Sequence, residues 1–168
     1  ELKAPLEIVH GYDLPAYVGP KSLVILSSFS GTTEEVLAAA EIAKKRRAKI
    51  VVIAAGGQLV AWAKKQKVPS YVFVPGDLAK QPRLGVGFSM LGVVGILERA
   101  GLLKIQDKRV ATMIRAMGEV IDSSAVDVPE KNNPAKEVAT SLIGKSIIIV
   151  GAQHLVGNAH VLANQINE

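Results

Sequence analysis

Ser28, Ser30, Thr32 and Thr33 surround a single glycine, Gly31, directly after the apolar run at residues 23–26. A strand that ends in hydroxyls and glycine and feeds at once into a helix has the chemistry of an anion site. The first N–H groups of the helix have no partner within it, and the helix dipole is positive at that end. Hydroxyls of Ser28, Ser30 and Thr33 add neutral donors, and Gly31 would let a ligand come close to the backbone. There is no Walker-type lysine and no GxGxxG spacing, so a nucleotide is not the expected ligand. A Ser/Thr-rich helix cap without any ligand would use the same residue types, although capping needs fewer hydroxyls. Further along, Arg83 follows Gln81-Pro82 and leads into an apolar stretch. A cation at a helix start is unfavourable beside the dipole, which implies an anionic partner.

The elements that position these residues follow from periodicity. Residues 23–26 read as a buried strand. Residues 34–47 read as a helix with Val36, Ala39, Ala40 and Ala43 on its inner face. Glu34 and Glu35 lie at its start and Lys44-Lys45-Arg46-Arg47 at its end, as the dipole favours. Thr32 and Glu35 have capping-box spacing. A strand is expected at 50–54, a short helix at 59–67 and a strand at 71–74; residues 6–9 could form a short edge strand. A loop at 76–82 precedes an apolar helix running to residue 100, with Gly101 at its C-cap. Helices are expected at 107–121 and 135–142, separated by Pro129-Glu130-Lys131-Asn132-Asn133-Pro134. A strand at 146–150 followed by a helix from about residue 155 would restart the β-loop-α pattern. Strands alternating with helices imply an α/β fold with a doubly wound parallel sheet flanked by helices. The expected division is a first domain at 1–103, a helical connection at 104–144 and the start of a second domain at 145–168.

Composition bounds the function classes. The chain of 168 residues is 49% hydrophobic and only 4% aromatic. Its apolar residues are mostly aliphatic, which suits parallel strands covered by Ala-rich helices. With no cysteine, disulfides and thiolate metal sites are excluded. That and the lack of a signal peptide point to the cytoplasm. The net charge of +5 comes from basic groups late in predicted helices, and no aromatic residues alternate with them. No nucleic-acid groove is expected. The apolar stretch near residues 86–97 is broken by glycines and ends in Glu98-Arg99, so it reads as a buried helix and no membrane partner is expected. Trp62 reads as packing. His10, His154 and His160 are scattered and read as structural, His154 being the better placed for a ligand. The chain opens on Glu1 and closes on Glu168 inside an expected helix, so both ends read as truncated.

The run LVILSSFSGTTEEVL at residues 23–37 resembles the signature of sugar-phosphate isomerase (SIS) domains, in which a strand runs into S-x-S-G-x-T-x-E. Gln81-Pro82-Arg83 with the following apolar helix, and Asn164-Gln165-Ile166-Asn167-Glu168, are similar to two further motifs of the bifunctional phosphoglucose/phosphomannose isomerase family. That family usually has Asn where this chain has Thr32. The resemblance implies an SIS fold with the start of a second SIS domain. It implies an aldose–ketose isomerase interconverting glucose 6-phosphate or mannose 6-phosphate with fructose 6-phosphate through a cis-enediol. Ser28, Ser30, Gly31, Thr32 and Thr33 would hold the substrate phosphate. Arg83 would stabilise the enediolate and Glu168 would be the base. Neither a metal nor an organic cofactor is implied, and the complete protein would be a homodimer. Alternatives are a non-catalytic phosphosugar-binding module, which needs neither Arg83 nor Glu168, and another SIS enzyme such as the isomerase half of glucosamine-6-phosphate synthase. The family's opening strand and glycine-rich loop, and its ring-opening histidine and late lysine, have no counterpart in the chain. A polypeptide ending at Glu168 is therefore expected to be inactive alone.

Overall fold

A computed structural model describes residues 2–167, apart from the side chain of Leu78. Two compact units make up the chain, Glu1–Leu103 and Lys104–Asn167.

In the first unit, two six-residue strands and a short third form one parallel sheet in the order β1-β2-β3: β1 Leu23–Ser28, β2 Lys49–Ala54 and β3 Ser70–Val72. Leu26 lies opposite Val52 and Ser28 opposite Ala54, and β2 continues in parallel register onto β3. Helices α1 (Glu34–Lys45) and α2 (Gly57–Gln66) make the two crossovers. Leu26, Val52 and Ala54 point to one face, where they meet Ala39, Ala40, Leu59, Val60 and Ala63 in the main core cluster. The alanines lie against the sheet without side-chain bulk, so both helices approach it closely. Ile53 points the other way, as strand alternation requires, and meets α3 (Val86–Arg99). Gly92 is the contact: a Cβ there would fall 2.8 Å from the Tyr71 ring and 3.3 Å from Ile53 Cδ1. The sheet therefore has helices on both faces, as the alternating pattern predicts.

Irregular chain before β1 is also tied down. Arg46 donates from Nη1 to the carbonyls of Leu14 at 3.1 Å and Pro15 at 2.6 Å. The basic group at the end of α1 is thus only partly a solvated helix end. Its neighbour Lys44 reaches Gln66 on α2 at 2.6 Å, and Trp62 on α2 donates to Glu41 on α1 at 2.6 Å.

The second unit holds α4 (Asp107–Ser124), α5 (Pro134–Leu142) and α6 (Val156–Ile166). Its turn before α5 is organised by Asn133. Asn133 is 1% exposed, accepts from the Lys136 N–H as a helix cap and donates to the Ala125 carbonyl at 2.9 Å. Lys136 Nζ adds bonds to the carbonyls of Val126 and Val128. Among the described residues of this unit no apolar side chain is buried.

Three local expectations differ from the structure. Residues 6–9 and 146–150 form no strand. An extended apolar segment becomes a strand only when a neighbour accepts its ladder bonds, and the sheet's described members are β1, β2 and β3. The Thr32–Glu35 capping box does not form: the N-cap of α1 is Thr33, without a side-chain capping bond. No described helix is long and apolar enough to cross a membrane.

Candidate functional site

The loop from Ser28 to Thr33 sits at the carboxyl ends of the strands, where open parallel sheets hold ligands. Its hydroxyls are wired in two pairs. Ser28 Oγ accepts from the Gly31 N–H at 3.0 Å and lies 2.7 Å from Thr33 Oγ1. Ser30 Oγ accepts from the Thr32 N–H at 3.3 Å and lies 2.8 Å from Thr32 Oγ1. Ser28 is buried, so its proton needs an acceptor, and Thr33 Oγ1 supplies one. Donation in that sense leaves the Thr33 proton directed outward. The same sense in the second pair leaves the Thr32 proton outward. Ser30, Thr32 and Thr33 are exposed. Because Thr33 spends no side-chain bond on capping, the first N–H groups of α1 are left to a ligand. The loop can therefore present N–H and O–H donors to one anion at a positive helix end.

Gly31 has a different reason to be glycine than the one its place in the loop implies. Its φ is 71°, and a Cβ there would lie 1.9 Å from the Gly56 carbonyl oxygen. Gly57, at φ 70°, would place a Cβ 2.4 Å from the Ser30 carbonyl oxygen. The β1–α1 and β2–α2 loops thus cross backbone to backbone, fastened by Leu59 N–H donating to the Gly31 carbonyl at 2.9 Å and Ala55 N–H to Phe29 at 2.9 Å. Gly31 packs against protein. It is buried and does not open room for a ligand. Gly56-Gly57 completes the loop's support.

Arg83 lies in a turn three residues before α3 begins, and not at the helix start itself. An aromatic cluster ties this turn to the hydroxyl loop. The chain has three phenylalanines and all are in it: Phe73 lies 5.3 Å from Phe29 and stacks on Phe88 at 4.8 Å. Gly85 rests on the Phe29 ring so closely that a Cβ would fall 2.2 Å from Cε2. Phe29 is itself a loop residue, between Ser28 and Ser30. The Gln81–Arg83 segment is thereby anchored two residues from a direct contact with the hydroxyl loop. Nothing in the spacing of Phe29, Phe73 and Phe88 along the chain announces this cluster.

Tyr12 reaches the first turn of α1, its hydroxyl 3.4 Å from Glu34 Oε2. The negative charge of Glu35, with desolvation and Glu34 adding to it, raises its pKa above the ordinary tyrosine value. Glu168 lies outside the described residues. His154, in a 3-10 turn, and His160, in α6, are exposed, as is His10. Among the described residues no three His, Asp or Glu side chains gather as metal ligands.

The fold and loop define an α/β protein with a parallel sheet and a donor-rich loop over the carboxyl ends of its strands. The chain is 34% identical, over 163 residues and 97% of its length, to a curated bifunctional phosphoglucose/phosphomannose isomerase of Caldicellulosiruptor bescii. It belongs to that isomerase family. The match spans 46% of the relative, so the chain covers about half that protein's length. No family model matches the chain, and no solved structure does.

Proposed function

We propose that this chain forms part of an aldose–ketose isomerase that interconverts glucose 6-phosphate or mannose 6-phosphate with fructose 6-phosphate through a cis-enediol. The observation that carries the reading is the paired-hydroxyl loop at the start of α1, with the Arg83 turn anchored against it through Gly85 and Phe29. The relative's name supports the substrate class. In this reading Ser28 and Gly31 shape the loop, while Ser30, Thr32, Thr33 and the first N–H groups of α1 hold the sugar phosphate. The phosphate is remote from the reacting carbons, so its binding energy orients the substrate. Arg83 stabilises negative charge on the enediolate oxygen. Glu168 moves the proton between C1 and C2. No metal or organic cofactor takes part. The complete protein is a cytoplasmic homodimer, and residues 145–168 open its second SIS domain.

Three experiments test this. Replacing both Ser30 and Thr33 with Ala weakens hexose 6-phosphate binding by about 1–3 kcal/mol, the scale of hydrogen bonds lost to a charged group. Unchanged affinity in calorimetry removes the loop from the reading. In a polypeptide of the family's full length, Glu168→Gln abolishes solvent-proton exchange into the hexose phosphate while binding persists. Arg83→Ala lowers kcat more than it raises KM, because the charge it meets exists only in the transition state. Exchange at the parent's rate in the Gln variant rules out Glu168 as the base.

A further inference from the structure

The hydroxyl loop is bordered by charge of the wrong sign. Helix α1 opens on Glu34 and Glu35, and its first turn holds no cation. A carboxylate is stable there because the helix end is positive, and that is the difficulty. The first N–H groups of α1 are the donors a sugar phosphate needs. A carboxylate on the first turn can fold back onto such groups, as the acid of a capping box does. It would also repel a phosphate held a few ångströms away. A loop that binds phosphate must therefore keep these carboxylates turned outward.

Tyr12 is placed to do this. Its hydroxyl donates to Glu34 Oε2 across 3.4 Å, a long hydrogen bond. Glu34 is exposed and Glu35 half-buried. Glu35 acts on the same phenol: its charge is the first cause of the raised Tyr12 pKa, ahead of desolvation and Glu34. A raised pKa keeps the phenol protonated, and so a donor, throughout the neutral range. The residue is 53% exposed, so burial contributes little to its placement and the hydroxyl makes its specific contact.

An exposed phenol holds a partner only if its backbone is fixed. Two residues on, Leu14 packs against the core cluster. Arg46, just past the other end of α1, donates to the carbonyls of Leu14 at 3.1 Å and Pro15 at 2.6 Å. The Val18 N–H closes a turn onto the Pro15 carbonyl at 3.0 Å. Residues 12–15 are thus strapped along α1, with Arg46 at its basic end and Tyr12 at its acidic end.

We propose that Tyr12 is a positioning residue of the phosphate site: it holds the Glu34 carboxylate off the open N–H groups of α1 and so keeps them free for the substrate phosphate. The inference rests on the phosphate-loop reading above and adds to it a residue outside the loop. Without the Tyr12 hydroxyl, Glu34 becomes an internal anion that competes with the external one.

Calorimetry with fructose 6-phosphate and with inorganic phosphate, on a polypeptide of the family's full length, tests this. Tyr12→Phe weakens both ligands about 2- to 10-fold, the range of one hydrogen bond at an exposed site. Glu34→Ala removes the competing anion and binds both at least as tightly as the parent. In the Glu34→Ala background, Tyr12→Phe changes nothing, a coupling that a merely structural tyrosine does not produce. Unchanged affinity in Tyr12→Phe overturns the proposal and leaves the loop reading standing. A Tyr12→Phe loss that persists in full without Glu34 also overturns it, and makes Tyr12 a direct ligand or a packing residue. If Ser30→Ala with Thr33→Ala binds like the parent, the loop reading falls and the proposal falls with it.

Discussion

Gly31 shows how much a single residue can carry in this loop. Its left-handed φ of 71° and the Gly56 carbonyl oxygen 1.9 Å from a would-be Cβ act together. An alanine there meets both a backbone conformation that costs about 1–2 kcal/mol and an overpacking cost of about 1–3 kcal/mol. Gly31→Ala therefore destabilises the chain by about 2–5 kcal/mol in urea unfolding, and the loss is present without any ligand. A stability equal to the parent's shows that the two loops do not cross as described. Ser28 differs in kind from its neighbours, since it is buried and its oxygen closes the turn onto the Gly31 N–H at 3.0 Å. Ser30, Thr32 and Thr33 keep their outer faces for a ligand.

At the scale of elements, three helices end in the same way. In α3, Leu102 N–H bonds the Leu97 carbonyl and Gly101 N–H the Glu98 carbonyl, with Gly101 at φ 72°. This is the Schellman arrangement, and glycine adopts it without strain. The ends of α1 and α2 repeat these bonds, Ala48 to Ala43 and Val68 to Ala63, but place Arg47 at φ 59° and Lys67 at φ 58° in the left-handed position. Side chains there are strained by about 1–2 kcal/mol, of which glycine's greater freedom in the unfolded chain takes part back. Lys67→Gly is accordingly expected to raise stability by roughly 0.5–1 kcal/mol. The measurement is the denaturation midpoint at unchanged m-value. A lower midpoint contradicts the strain argument.

For the whole molecule, burial is unequally shared. Among the described residues, the buried apolar side chains, from Leu26 to Leu97, all lie in the unit Glu1–Leu103. In Lys104–Asn167 the buried residue is Asn133, whose bonds organise a turn and build no core. Folding needs apolar burial to offset chain entropy, and a segment without a core lacks it. Expressed alone, residues 104–167 are expected to show no cooperative thermal transition by circular dichroism. Residues 1–103 alone retain one. A sharp transition in the former means that its helices find a core without any partner.

What the sequence by itself determined is what local pattern encodes. The period of the alanines at 39, 40 and 43, the acid-to-base gradient along residues 34–47 and the glycine at 101 specify α1, α3 and their ends. The hydroxyl loop between strand and helix was likewise legible, because strand end, loop and helix start are contiguous in the chain. Only the tertiary structure decided which donors are spent and which are free. It pairs Ser28 with Thr33 and Ser30 with Thr32, and leaves α1 without the expected capping box. It also decided that Gly31 packs on Gly56 and that Phe29, Phe73 and Phe88 carry the Arg83 turn to the loop. These contacts join residues from 15 to 56 positions apart, and no local period marks them. The same reason explains residues 146–150: their β-branched run is strand-like, but a strand is a pairing, and pairing is not a local property.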